Sequence, residues 1–465
     1  MLVPLPFDIP RAIWFAARTG MPDKTKNVMR LGHLTNLKAA FLTLTALLLT
    51  LLSALRVAAL EPPKWNFEAL SKPPAAVAAQ EGKVEGLQSL YLDGLPYKGR
   101  PTKFYAYLGL PANVTGRVPA VVLIHGGGGT AFDKWVRYWN GKGYAALSLD
   151  TEGHVPVNIR EGKSGSPIWQ TIDGLGQPWV GQPQRPQGFA DSQLPPEEQW
   201  LYHGVADSIL SVSFLAARPE VDASRIGIVG ISMGSVVCSI VGGLDNRLAF
   251  VVPQYIGGNN DLGNVWYAII KEHPEVMRWD PANFYRQPKG KSHWLWINDA
   301  NDKYGLPPMT TKSWRETGPY SWMTLLPVHR HGHQWEETGP NAVREIYAFA
   351  DSVTRGTPPL ARILSTSVSK GGVTLVWSAQ TPIVRAQFIH TTVPIPLVKI
   401  SGGSRKDWEH VKWQVQDTPL PIATTLSDGT RQATFALPVG LKAGYLNLID
   451  DRSLAVSCDF LNLDP

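Results

Sequence analysis

Short apolar runs recur through the middle of the chain. Residues 103–110 (KFYAYLGL) alternate as a strand does, and 120–125, 144–149, 225–231, 249–255, 293–298 and 322–328 are compact apolar stretches. Between them lie segments with apolar or aromatic residues at helical spacing, among them 132–140, 197–217, 235–244 and 342–353. Buried strands alternating with helices predict an α/β architecture, a mostly parallel sheet covered on both faces. Residues 155–198 break this grammar. They are dense in Gly, Pro, Gln and Ser, carry Trp169 and Trp179, and read as a long structureless insert. An insert of that length inside a compact domain usually serves function. After Pro358-Pro359 the grammar changes again. Runs at 374–378, 384–390, 432–437, 444–448 and 455–460 look like strands separated by turn residues, which predicts a separate small all-β sandwich over 360–465. Residues 60–84, rich in Pro and Ala, read as a linker or a wrap over the surface.

The longest apolar run, 39–55, carries no charge and follows Lys24, Lys26, Arg30 and Lys38, while Val57 and Ala59 provide the small residues of a cleavage site after Ala59. That order predicts a secretory signal within 1–59 and a secreted or periplasmic protein; an uncleaved membrane anchor is the alternative. A start at Met29 would give the signal ordinary proportions. This segment also explains the charge. The whole chain carries +6, but 1–59 holds seven basic and two acidic residues, so the remainder is almost neutral at +1. A basic stripe for nucleic acid is therefore not expected. At 465 residues with 44% hydrophobic and 18% charged positions, the chain can bury a full core. Its two cysteines, Cys238 and Cys458, lie far apart without metal-ligand spacing and read as small buried residues. Seventeen tryptophans are available for pocket walls as well as for core.

The chemistry is concentrated at three places. Gly230-Ile231-Ser232-Met233-Gly234 is a G-x-S-x-G between an apolar strand and a helical run. A serine nucleophile needs that context, because the turn must be tight enough to lift the hydroxyl over the sheet edge at a helix N-terminus. His125 and the four glycines 126–129 follow the strand at 120–124. Glycines there let backbone N–H groups approach an oxyanion closely, and Gly127 and Met233 are the expected donors. No Gly-Lys-Ser/Thr follows, which excludes a Walker phosphate loop, and the run is not the glycine fingerprint of a dinucleotide fold. A serine needs a base, and the base needs an orienting acid, in the chain order Ser, acid, His. Asp302 is the expected acid, with Asp299 a loop-capping carboxylate. The base comes from His329-Arg330-His331-Gly332-His333; His331 is favoured and His333 is next in line. Neither HExxH nor paired cysteines accompany these histidines, so no metal and no cofactor is expected.

At these residues the chain resembles a known family. HGGGGTAFDKWVRYWNGKGYAALSLD, RIGIVGISMGS, WINDANDKYGLP and HGHQWEE, in that order, are similar to the acetyl xylan esterase-like branch of the α/β-hydrolases, close to dienelactone hydrolase and prolyl oligopeptidase-type catalytic domains. The resemblance covers about residues 85–355, and GYLNLIDDRSLAVSCDF looks like a small β-domain attached to some bacterial members. It implies an α/β-hydrolase domain over 85–356 with a serine triad at Ser232, Asp302 and His331. The chain has Ser232-Met233-Gly234-Ser235 where relatives often have Ser-Trp-Gly-Gly, and Asp299-Ala300-Asn301-Asp302 where they often have Gly-Thr-Asn-Asp. The leading expectation is a serine esterase acting on a small-molecule or carbohydrate ester. The alternatives are a prolyl oligopeptidase-type peptidase, for which nothing upstream of residue 85 is long enough to form a gating propeller, and a carbohydrate-binding protein that has lost its chemistry.

Overall fold

The computed structural model describes residues 61–464 apart from 113–114, 162–166, 287–289, 334–342 and 401–402. The expected signal, its cleavage point at Ala59 and the alternative start at Met29 lie outside the described residues. Among the described residues no helix is long and apolar enough to cross a membrane.

Nine strands form the central sheet: β1 (Ala76–Ala78), β2 (Gln88–Asp93), β3 (Lys103–Gly109), β4 (Val118–Ile124), β5 (Ala145–Leu149), β8 (Val221–Ile231), β9 (Leu248–Gln254), β10 (His293–Asp299) and β11 (Ser321–Leu326). The intervening β6 (His154–Glu161) and β7 (Pro167–Thr171) pair with each other. The sheet runs β1-β2-β3-β5-β4-β8-β9-β10-β11. Strands from β5 to β11 along this order are mutually parallel, whereas β1, β2 and β3 are antiparallel to their neighbours. This is the α/β-hydrolase sheet. The crossover that places β5 outside β4 brings the ends of β4 and β8 side by side, and those ends carry the glycine loop and Ser232.

The continuous apolar runs follow from burial on both faces. Every residue of β4 and β5 is buried. Helices Asp133–Gly141 and Arg344–Arg355 share one face, where the rings of Trp139 and Tyr347 lie 4.9 Å apart and Trp139 and Phe250 6.3 Å. Helices Trp200–Ala216 and Met233–Leu244 pack on each other along the other face and are buried over most of their length. Cys238 and Cys458 are both buried free thiols. Burial pushes the Cys458 thiol up to about 12, which keeps it protonated.

Two segments differ from the expectation. Residues 60–84 contain a short helix, Phe67–Leu70, whose first turn is capped by Asn66, and strand β1, which pairs with the edge of the sheet. The insert at 155–198 is not structureless, because the antiparallel β6–β7 hairpin occupies its first half. Pairing of so short a strand as β1, or of a strand as polar as β6, depends on the partner edge rather than on local pattern.

Beyond Pro359 the chain forms antiparallel sheets. One contains Arg362–Ser369, Gly372–Ser378, Thr424–Thr425 and Arg431–Phe435; another is built on Ile383–Thr391 and Ala443–Asp450, and a third pairs Leu397–Ile400 with Gly403–Lys406. Residues Leu60–Pro465 form one compact unit. Its two halves join at the β11 edge, where Leu325 N–H donates to Ser457 Oγ at 2.7 Å and Thr324 Oγ1 to Ala455 O at 2.8 Å.

Candidate active site

Ser232 follows the last residue of β8 and precedes helix Met233–Leu244 at φ 57°, ψ −119°. A non-glycine residue at such an angle costs on the order of 1–3 kcal/mol, a strain stored where function needs it. The flanking glycines make the turn geometrically possible. A Cβ on Gly230 would stand 2.0 Å from Gly234 O, and one on Gly234 would stand 2.4 Å from both Ile124 O and His125 O. Ser235 also has a structural role: its Oγ lies 2.6 Å from Ile256 O and accepts the Ile256 N–H at 3.2 Å, tying the helix start to the loop after β9.

The structure brings Ser232, His331 and Asp302 into one hydrogen-bonded line. His331 Nε2 is 2.8 Å from Ser232 Oγ, and His331 Nδ1 meets Asp302 Oδ2. The Asp302 side chain is wholly inaccessible, yet its second oxygen accepts the N–H groups of Tyr304 and Gly305, each at 2.7 Å. Those bonds hold the carboxylate's orientation. With Nδ1–H given to Asp302, Nε2 is left as the acceptor facing the serine.

The other candidates hold different positions. Asp299 accepts the N–H groups of Asn301 and His329, both at 2.6 Å, and contacts no imidazole; burial raises its carboxyl above the usual range. His333 Nε2 accepts the Gly126 N–H at 2.9 Å, and its ring stacks on Phe132 at 5.2 Å. His329 stacks on Tyr255 at 4.8 Å. Burial lowers both histidines to about 4, so both stay neutral near pH 7. The three histidines therefore do not converge on one point.

Tyr255 escapes a reading of the sequence. It sits just past β9 at φ 77°, with its ring stacked against His329 on one contact and His331 at 4.4 Å on another, while its hydroxyl donates to Arg330 O at 2.9 Å. It fixes the plane of the His331 ring. Only its place after a late strand could have signalled this.

The glycine loop is held from several sides. Gly126 N–H is taken by His333, and Gly128 N–H by the buried Glu152 carboxylate at 3.0 and 3.1 Å. Trp169, from the insert, donates Nε1–H to Gly128 O at 3.0 Å and stacks on His154 with centroids 3.4 Å apart. Among the described residues, the Gly127 and Met233 N–H groups have no partner. Beside Met233 opens a narrow cavity lined by Arg185, Phe189, Trp200, Trp266 and Trp279. A second adjoins it and is lined by Val236, Ile270 and Val276. Trp169 and Trp179 are both half-buried. The tryptophans on the cavity wall are others, all three from segments beyond the insert.

Residues 89–256 match the family model described as acetyl xylan esterase (AXE1). That stretch includes the glycine loop and Ser232, and over it the chain is similar to a family of carboxylic-ester hydrolases. A comparison with curated proteins gives no match. Among solved structures, acetyl xylan esterase 1 from Thermoanaerobacterium sp. JW/SL YS485 is similar at 16% identity and TM-score 0.43, covering 58% of this chain and 90% of that one. Acetyl xylan esterase from Paenibacillus sp. R4 is similar at 20% identity and TM-score 0.44, covering 62% and 92%. Acylaminoacyl peptidase from Pyrococcus horikoshii is similar at 14% identity and TM-score 0.42, covering 58% and 43%.

Proposed function

We propose that this chain is a secreted or periplasmic serine hydrolase of carboxylic esters, acting on esterified carbohydrate. Ser232 is the nucleophile, His331 the general base and then acid, and Asp302 the residue that holds the imidazole. The observation that carries the reading is the Ser232–His331–Asp302 line standing on a strained strand-to-helix turn. The family match over residues 89–256 supports an ester as the substrate, and the half-buried Trp266 at the cavity offers a face on which a sugar ring can stack.

The steps follow from the geometry. Ser232 Oγ attacks the ester carbonyl while His331 Nε2 takes its proton. The imidazolium is steadied by the Asp302 carboxylate. The tetrahedral oxyanion is held by the Gly127 and Met233 N–H groups, which cost no reorganisation because the loop and helix already fix them. His331 returns the proton to the leaving alkoxide. The acyl-enzyme is then hydrolysed by water through the same base.

A panel of p-nitrophenyl acyl esters, acetylated xylan, methyl glucuronoyl esters and a prolyl-peptide substrate tests this on wild type and Ser232→Ala. Ester cleavage that disappears in the variant is expected. Cleavage of the peptide alone would replace the esterase reading with a peptidase, and no turnover of any substrate by the wild type would remove it.

A further inference from the structure

The scheme above leaves one charge beside the glycine loop unused. Arg185 comes from the insert and lines the same cavity as Met233. Its Nε donates to Glu152 Oε1 at 2.9 Å, and the Glu152 side chain is only 4% exposed. The same carboxylate accepts the Gly128 N–H. One buried acid therefore fixes the arginine and the glycine loop in a single register. Nε is engaged, but among the described residues neither Nη group has a partner.

The guanidinium lies against Gly127. A Cβ at that position would stand 2.7, 2.8 and 2.9 Å from Nε, Cζ and one Nη, so three atoms of the planar group are almost equally near. One residue earlier, a Cβ on Gly126 would stand 2.9 Å from the Cβ of Ser232. The glycine loop is thus clasped between the nucleophile and a cation. Any side chain at 127 would drive the guanidinium off its seat, which gives that glycine a reason beyond loop flexibility. A charge held only by a surface ion pair is freely solvated and contributes little. Here the partner acid is buried, the guanidinium lies against Gly127, and Arg185 lines the same cavity as Met233.

We infer that Arg185 is a further catalytic residue of the ester hydrolysis proposed above, on which this inference rests. Its Nη groups donate to the acyl oxygen as that oxygen gains negative charge, alongside the N–H groups of Gly127 and Met233. A guanidinium offers only N–H donors and no acceptor, so the part of Arg185 is electrostatic. Charge-assisted hydrogen bonds are roughly twice as strong as neutral ones, and loss of one oxyanion donor typically lowers kcat about 10²–10³-fold.

The test is steady-state kinetics on a neutral ester turned over by the wild type, with Arg185→Met and Arg185→Lys. Arg185→Met should lower kcat about 10²-fold while KM stays within about threefold. Arg185→Lys, a point charge without the fork, should fall between. Added ethylguanidinium should restore part of the lost kcat to a smaller variant, Arg185→Ala, which a purely structural arginine would not allow. Should Arg185→Met misfold because Glu152 loses its counter-charge, Glu152→Gln with Arg185→Met removes that charge as well and is read by the same kinetics. A kcat within about threefold of wild type in the folded variants would overturn the role. So would a defect confined to the KM of carboxylate-bearing esters, which would make Arg185 a reader of substrate charge. A wild type inactive on every ester would instead overturn the proposed function and this inference with it.

Discussion

The Gly126 N–H donates to His333 Nε2 at 2.9 Å, joining two loops that stand 207 residues apart in sequence. The bond consumes the first amide of the glycine run and leaves the second, that of Gly127, without a partner among the described residues. His333→Ala is expected to lower kcat about tenfold, since tenfold is about 1.4 kcal/mol of transition-state stabilisation. His333→Gln, whose side-chain oxygen can accept the same N–H, should recover much of it. Fluorophosphonate labelling of Ser232 should persist in both. Equal kcat in wild type and His333→Ala would show that the loop holds its shape without this bond.

The same environment makes stability depend on pH. Burial lowers His329 and His333 to about 4 in the folded chain, against about 6.5 for an unfolded histidine. Between those values the unfolded chain binds more protons, so stability rises with pH and is lost as pH falls from about 6.5 toward 4. Protonation would also convert the His333 acceptor into a donor opposed to the Gly126 N–H. Thermal melts across that window should show Tm falling on acidification. In the double variant His329→Gln, His333→Gln the slope should flatten, and an unchanged slope would assign the acid sensitivity to other groups.

Asp302 and Asp299 separate orientation of the base from bracing of the loop. Asp302→Asn should reduce kcat by about 10⁴, because an amide stabilises the wrong imidazole tautomer. Asp299 accepts two backbone N–H groups and meets no ring. Asp299→Asn is therefore expected to lower Tm by several degrees with less than about tenfold loss of kcat. Reversed effects would exchange the two assignments.

Ser232→Ala removes the proposed nucleophile and relieves backbone strain only slightly, since alanine at φ 57° is strained as well. Turnover should fall by about 10⁶ and labelling by a fluorophosphonate should vanish, with Tm close to wild type. Labelling that survives in the variant would place the nucleophile elsewhere.

The β-region touches the acid loop directly. Asn301 Nδ2 donates to Trp408 O at 3.0 Å and Val411 O at 2.8 Å, and Lys303 pairs with Glu409 at 3.5 Å. A chain ending at residue 358 would lose these bonds and uncover the Leu325 edge that Ser457 holds. Such a truncation should aggregate or show kcat at least tenfold lower, and Asn301→Ala should cost about 1 kcal/mol in stability. A soluble truncated chain with wild-type kcat would make the β-region independent of the site.

What the sequence determines here is everything that depends on near neighbours. The strand-then-turn-then-helix pattern around Ser232 requires small residues at 230 and 234, and backbone atoms stand within 2.4 Å of a Cβ at either place. The chain order of nucleophile, acid and base, each placed after a strand, fixes the sheet edge at which Ser232, Asp302 and His331 emerge together. What only the tertiary structure decides is which neighbour each loop side chain meets. His331 rather than His333 reaches Ser232 because Tyr255 stacks on one ring while Gly126 captures the other. Asp302 rather than Asp299 meets the imidazole because backbone amides occupy Asp299. Glu152, Arg185, Trp266 and Trp279 belong to segments without periodicity, and they converge because the crossover connections carry those segments over the same sheet edge. Hydrophobic periodicity encodes which face of an element is buried; a contact between two loops far apart in sequence is set by where the elements between them pack.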